Sequence, residues 1–138
     1  MKKMILSLVV LSAVLISCKK DDKNCDLNAA NFAGTYKITA WTYKANTATA
    51  PVDVMATFPA CERDDLVIFN ANNTVNYTDA GTLCSPPGNS TGTWLLTGNS
   101  INIDGDVYVV AAFSCSGTTL TLAGSAAGEL NTITFTRQ

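Results

Sequence analysis

The sequence predicts an all-β domain, an eight-stranded antiparallel up-and-down barrel, with a two-sheet β-sandwich as the alternative. Three observations lead there. No long stretch after Cys18 sets apolar residues at helical spacing. Short runs instead alternate apolar and polar residues, the period of a strand with one buried and one solvated face. Between the runs stand Gly, Asn and Ser, which suit tight turns.

The first strand is read over residues 34–44. Strands over 65–70 and 74–79 flank Ala71-Asn72-Asn73, and a hairpin centred near Asn72 makes the numbers of facing residues sum to about 144. Strands over 92–97 and 100–104 meet at Gly98-Asn99, and Ile101 and Ile103 alternate with Asn102 and Asp104. Gly105 leads into 107–114, where Val107, Val109, Ala111 and Phe113 are read on one face and Asp106 and Tyr108 on the other. Ser116-Gly117 precedes 118–123, and residues 124–128 precede 130–137, in which Ile133 and Phe135 oppose Thr132, Thr134 and Thr136. With most connections short, sequence neighbours become spatial neighbours and eight strands close on themselves. Two connections are too long for hairpins: 45–64, with Pro51, Phe58 and Pro59, and 81–90, with Cys84 and Pro86-Pro87.

The N-terminus predicts export. Lys2 and Lys3 precede an apolar run from Met4 to about Ile16, then Ser17 and Cys18, the layout of a signal peptide. The run is about a dozen residues, short of the ~20 that span a bilayer as a helix. Leu15-Ile16-Ser17-Cys18 resembles the bacterial lipobox: an aliphatic residue and a small residue precede the cut, and a thiol forms the thioether. Cys18 is therefore the expected lipidation site, residues 1–17 the signal peptide, 18–31 the anchor and flexible tether, and 32–138 the barrel domain. Several acyl chains, at ~0.8 kcal/mol per buried methylene, make a stable anchor. The expected location is the outer membrane, lipid-anchored and facing the periplasm or the cell surface. Lys19-Lys20-Asp21-Asp22 also resembles a surface-export signal found beside such cysteines, and reads equally as a solvated spacer.

What remains after residue 17 is enough for one domain and one core. Acidic residues outnumber basic ones, 11 to 9 in the whole chain, and no basic stripe interleaved with aromatics is present, so nucleic acid is excluded as a partner. With Cys18 on lipid, Cys25, Cys61, Cys84 and Cys115 form an even set in an oxidising compartment, where disulfides are expected. The hairpin register places Cys61 and Cys84 nearly opposite each other, which leaves Cys25 and Cys115 as the second pair. A bridge from Cys61 to Cys84 ties the two long connections together at one end of the barrel, where a mouth would be shaped. Zinc is disfavoured, because the chain has no histidine and no closely spaced cysteine pair.

Phe32-Ala33-Gly34-Thr35-Tyr36-Lys37-Ile38-Thr39-Ala40-Trp41 resembles the opening strand of the lipocalin-like lipoproteins of Bacteroidetes, often written leucine, glycine, any residue, tryptophan, then an alternating strand. Cys61-Glu62-Arg63-Asp64-Asp65-Leu66-Val67-Ile68-Phe69 resembles that group's cysteine, acidic residues and strand, and Gly92-Thr93-Trp94 its later glycine and tryptophan. The resemblance covers residues 32–138, with Tyr36 standing where the first tryptophan is usual. It implies an eight-stranded barrel on a lipid anchor; the ligand is left open, since fold does not decide function.

Candidate chemistry is sparse. Glu62, Asp64 and Asp65 are carboxylates of the kind that hold hard cations, but they lack the alternating ligands of a calcium loop and read as a solvated loop. Asp104-Gly105-Asp106 reads as a turn. Without histidine a Ser-His-Asp arrangement is impossible, so no enzyme activity, no metal and no cofactor is expected. The expectation is binding of a small apolar or amphipathic molecule, with Trp94, Tyr36 and Phe113 as candidate pocket residues. The alternative is a cell-surface interaction or structural lipoprotein with a packed, ligand-free barrel.

Overall fold

A computed structural model describes residues 25–123 and 128–138. The expected signal peptide and the expected lipidation site, Cys18, lie outside the described residues. Nine antiparallel strands form one sheet: β1 (Gly34–Lys44), β2 (Val52–Asp53), β3 (Leu66–Phe69), β4 (Thr74–Thr78), β5 (Ser90–Thr97), β6 (Ser100–Ile103), β7 (Asp106–Ser114), β8 (Gly117–Ala123) and β9 (Leu130–Arg137). From β3 onward each strand pairs with the next, and β9 returns to β1, so eight strands close a ring and β2 is a short addition to the far end of β1. Closure removes the unpaired edges that an open sheet would expose. In the first hairpin Leu66 faces Thr78 and Phe69 faces Val75, the register read from the sequence. Asn73 makes its turn at φ 66°, a left-handed conformation that Asn tolerates.

One end of the barrel is plugged. A single helical turn, α1 (Ala29–Phe32), is capped by Asn28, whose side chain accepts the Asn31 N–H at 2.9 Å. It delivers Phe32, fully buried, among the rings of Phe69 (5.1 Å between centroids, edge-on), Trp94 (5.5 Å) and Phe113 (5.7 Å, stacked). Burying one such side chain contributes roughly 1.5–3 kcal/mol. Cys25–Cys115 fastens the approach to this end, with Cα atoms 5.5 Å apart, and Leu27 packs against the core. Residues 25–31, placed in the tether by the sequence expectation, thus lie against the barrel.

The inward phase of β7 differs from expectation. Tyr108 and Val110 pack with the core, while Val107 and Val109 are 55% and 49% exposed. A β-bulge is the reason: Val110 faces Leu120 but Ala112 faces Thr119, so Ala111 is an extra residue. Because side chains alternate with period two, one inserted residue shifts the phase and turns Phe113 inward again. A second bulge at Thr39 of β1 does the same, so that both Ile38 and Trp41 pack against the core. On β6 and β9 the expected phase holds, with Ile101, Ile133 and Phe135 buried.

Candidate functional site

The opposite end is built from long loops, and its geometry begins with a fork in β1. Residues 34–37 pair with β3 and residues 42–43 pair with β2. Between them the same edge of β1, Ile38 to Trp41, has no strand partner, and the wall of the barrel parts. The chain after β2 covers the gap: Val54 N–H donates to the Trp41 carbonyl at 2.8 Å, and two 3-10 turns, Met55–Thr57 and Ala60–Glu62, follow. Phe58, between the turns, sets its ring edge-on to Trp41 at 5.5 Å. Arg63 holds this segment in shape, donating from Nε to the Phe58 carbonyl (2.9 Å) and from Nη2 to the Ala56 carbonyl (3.1 Å).

The facing loop, after β4, is organised by carboxylates. Asp79 is buried, and its oxygens accept the amides of Cys84 (3.0 and 3.1 Å) and Gly88 (3.4 Å). Asp65 accepts Ala80 N–H at 3.2 Å and Asp64 accepts Thr82 N–H at 2.9 Å. Cys61–Cys84, with Cα atoms 5.3 Å apart, completes the clamp between the two loops. One oxygen of each of Asp64 and Asp65 thus braces a loop amide, which fixes the mouth; among the described residues no group of His, Cys, Asp and Glu is placed to hold a metal ion.

Between the loops lies a cavity of about 390 Å³, walled by apolar and aromatic side chains including Ile38, Trp41, Met55, Phe58, Leu66 and Tyr77, with Glu62, Arg63 and Asp65 also on its lining. A smaller chamber of about 120 Å³ continues inward; it shares Ile38, Trp41, Val67 and Tyr77 and adds Tyr108 and Ile133. The larger volume falls within the range of small-molecule sites, as does the pairing of an apolar wall with few polar groups. The Tyr77 hydroxyl donates to Asp104 Oδ2 at 3.2 Å. Burial first, then the nearby Asp104 carboxylate, push Tyr77 up to about 12; burial, then Asp106, raise Tyr108 as well. Both side chains pack against the core.

The residues expected to line a pocket sit elsewhere. Tyr36 is fully buried, its hydroxyl donating to the Phe32 carbonyl at 2.8 Å. Trp94 is 2% exposed, its indole N–H donating to the Asn70 carbonyl at 2.9 Å, and it packs between Phe32 and Phe69. Phe113 stacks on Phe32 and borders a separate shallow groove beside β8. All three belong to the plugged end. The wall of the cavity comes instead from Trp41, Phe58 and Tyr77. The sequence signal for them was indirect: two long loops tied by Cys61 and Cys84 mark the open end, and inward residues nearest those loops form its lining.

No curated protein matches the chain. A family model, described as a lipocalin-like domain, matches residues 32–122. That span runs from the Phe32 plug through β1 and the mouth loops nearly to the end of β8, and with eight strands closed in a ring around it the chain belongs to the lipocalin-like domain family.

Proposed function

We propose that this protein is a membrane-anchored lipocalin-like lipoprotein that binds a small apolar or amphipathic molecule in the open end of its barrel. One observation carries the reading: the 390 Å³ cavity, apolar in its walls and clamped by Cys61–Cys84, lies at the end opposite the Phe32 plug. Membership of a family of binding barrels supports the same reading and a role that is not enzymatic. The anchor is Cys18, in a segment like the lipobox and like the lipoproteins of Bacteroidetes, with the outer membrane as the location and its lipid as the partner surface.

Native mass spectrometry of protein taken from its own host tests the binding. A small-molecule adduct is expected, and it should vanish in Met55→Trp, which fills the cavity. Protein that carries no adduct and binds no apolar probe would overturn the reading. The anchor is tested separately: Cys18→Ser should remove the acyl mass and the partition into detergent, and continued partition would refute it.

A second reading, a surface interaction protein, is favoured by one feature. Leu95 of β5 and Val107 and Val109 of β7 are large apolar residues exposed on the outer face, with Asn102 of β6 standing between Leu95 and Val107.

A further inference from the structure

The chemistry around the mouth narrows the class of ligand. Resting on the binding reading above, we propose that the cavity takes an amphipathic organic cation, its apolar body in the chamber and its ammonium head at the mouth.

The aromatic lining supplies the first half. Trp41, Phe58 and Tyr77 surround the space from three different elements. Ring faces carry negative electrostatic potential and attract an ammonium group, most strongly when it is partly out of water. Neutral tails gain from the same rings through burial, so the rings favour a cationic head over an anionic one only together with the charges beside them.

The charges supply the second half. Glu62 and Asp65 line the cavity. Glu62 is exposed at the end of its 3-10 turn, and Asp65 commits Oδ1 to the Ala80 amide. Asp64 and the buried Asp79 accept amides of the loop after β4. Among the described lining residues Arg63 is the basic one, and its guanidinium is turned onto the carbonyls of Phe58 and Ala56. A carboxylate head entering here meets like charge from Glu62 and Asp65, two acidic groups against the one basic group of Arg63, whose Nε and Nη2 are bonded to the Phe58 and Ala56 carbonyls. An ammonium head meets two carboxylates and three rings. The net charge of the chain, −2, adds a weak field of the same sign.

Three probes with six-carbon tails separate the possibilities: hexyltrimethylammonium, heptanoate and 1-hexanol, titrated into the full chain at low ionic strength. Trp41 lies in the cavity and Trp94 at the plugged end, so quenching of the accessible fluorescence reports the site. The ammonium should bind at least about tenfold more tightly than the carboxylate, a preference that weakens as salt screens it. Glu62→Lys should bring that ratio close to one, and an unchanged far-ultraviolet spectrum shows that the variant is folded. If heptanoate binds as well as the ammonium, or if Glu62→Lys leaves the ratio unchanged, the cation assignment is wrong and binding by the cavity survives. Failure of all three probes to bind overturns the cavity reading and this inference with it.

Discussion

The guanidinium of Arg137 lies over the ring of Tyr36, 5.7 Å from its centroid, and also donates to the carbonyls of Asn31 (2.8 Å) and Ala33 (2.6 Å). A residue of the last strand thereby fixes the helical turn that carries the plug, and Tyr36 of the first strand reaches the same turn through its hydroxyl. The plug is held from both strands that close the ring.

Arg137→Ala should therefore cost about 2–4 kcal/mol, since it removes two charge-assisted hydrogen bonds and the ring contact together. Arg137→Lys keeps the charge and loses the planar fork, and should fall between the two. Tyr36→Phe leaves the Phe32 carbonyl short of one donor at a cost of about 1 kcal/mol. Denaturant midpoints check all three; an Arg137→Ala protein as stable as the parent would show that the plug is held by packing alone.

The two disulfides should differ in what their loss does. Cys25–Cys115 spans 90 residues and Cys61–Cys84 spans 23, so in the chain-entropy model they contribute about 4.6 and 3.4 kcal/mol. Replacing Cys25 and Cys115 by Ser should lower the melting temperature more and leave probe binding intact. Replacing Cys61 and Cys84 by Ser should lower it less and weaken binding, because that bridge joins the loops that wall the cavity. Equal effects on binding would remove the distinction between the two ends.

Much of this fold was legible because strand alternation and turn residues are local signals. β1 and β9 occupy the residues that alternation marks, and the Leu66–Thr78 register follows from the position of Asn72. The phase of β7 was not legible, because the bulge at Ala111 is set by pairing with β8 and leaves no mark in the alternation itself. Nor were β2 and the two 3-10 turns, which have no period and are held by groups distant in sequence, such as the Trp41 carbonyl under Val54. The site suffered for the same reason. Trp94 reads like Trp41 in sequence, and only the direction of each strand decides which lies near the mouth and which against Phe32.

Alkaline pH should weaken the barrel through Tyr77. Its folded value is pushed up to about 12 from 10.0 by burial and then by Asp104. Between those values the unfolded chain has released the proton and the folded chain has kept it, so stability is whole below about pH 10 and falls as pH rises toward 12. Tyr36 and Tyr108, both raised chiefly by burial, act in the same direction. Tyr77→Phe should flatten part of the alkaline decline in melting temperature. A decline identical to the parent's would assign it to other groups.

Gly81 should tolerate no side chain. Its φ of +60° lies in the left-handed region, and a Cβ there would strike the Asp64 carboxylate that accepts Thr82 N–H. Gly81→Ala should cost about 1–3 kcal/mol, from the backbone conformation and from the displaced hydrogen bond. Gly88 lies in the same loop with open space around it, and Gly88→Ala should be near neutral. Melting temperatures that change equally for both would show that Asp64 does not brace the loop.

The two tryptophans offer the sharpest separation of binding from stability. Trp94 is packed on Phe32 and Phe69 with its N–H bonded to the Asn70 carbonyl, so Trp94→Ala leaves a void in the plugged end and takes one of two donors from that carbonyl, which keeps the Asn73 N–H, and should cost about 3–5 kcal/mol. Trp41 is only partly buried; it meets Phe58 edge-on in the cavity wall and donates to the Asn131 side chain at 3.2 Å. Its removal should cost less, about 1–3 kcal/mol, because part of the space it leaves is already open to water. Binding of an apolar probe should behave in the opposite order: lost or weakened at least about tenfold in Trp41→Ala, where an aromatic wall of the site is gone, and kept in Trp94→Ala at temperatures where that variant is folded. Phe58→Ala should follow Trp41→Ala, since the rings meet edge-on and form one surface. A binding loss in Trp94→Ala with none in Trp41→Ala would move the ligand to the plugged end and reverse the polarity assigned to the barrel.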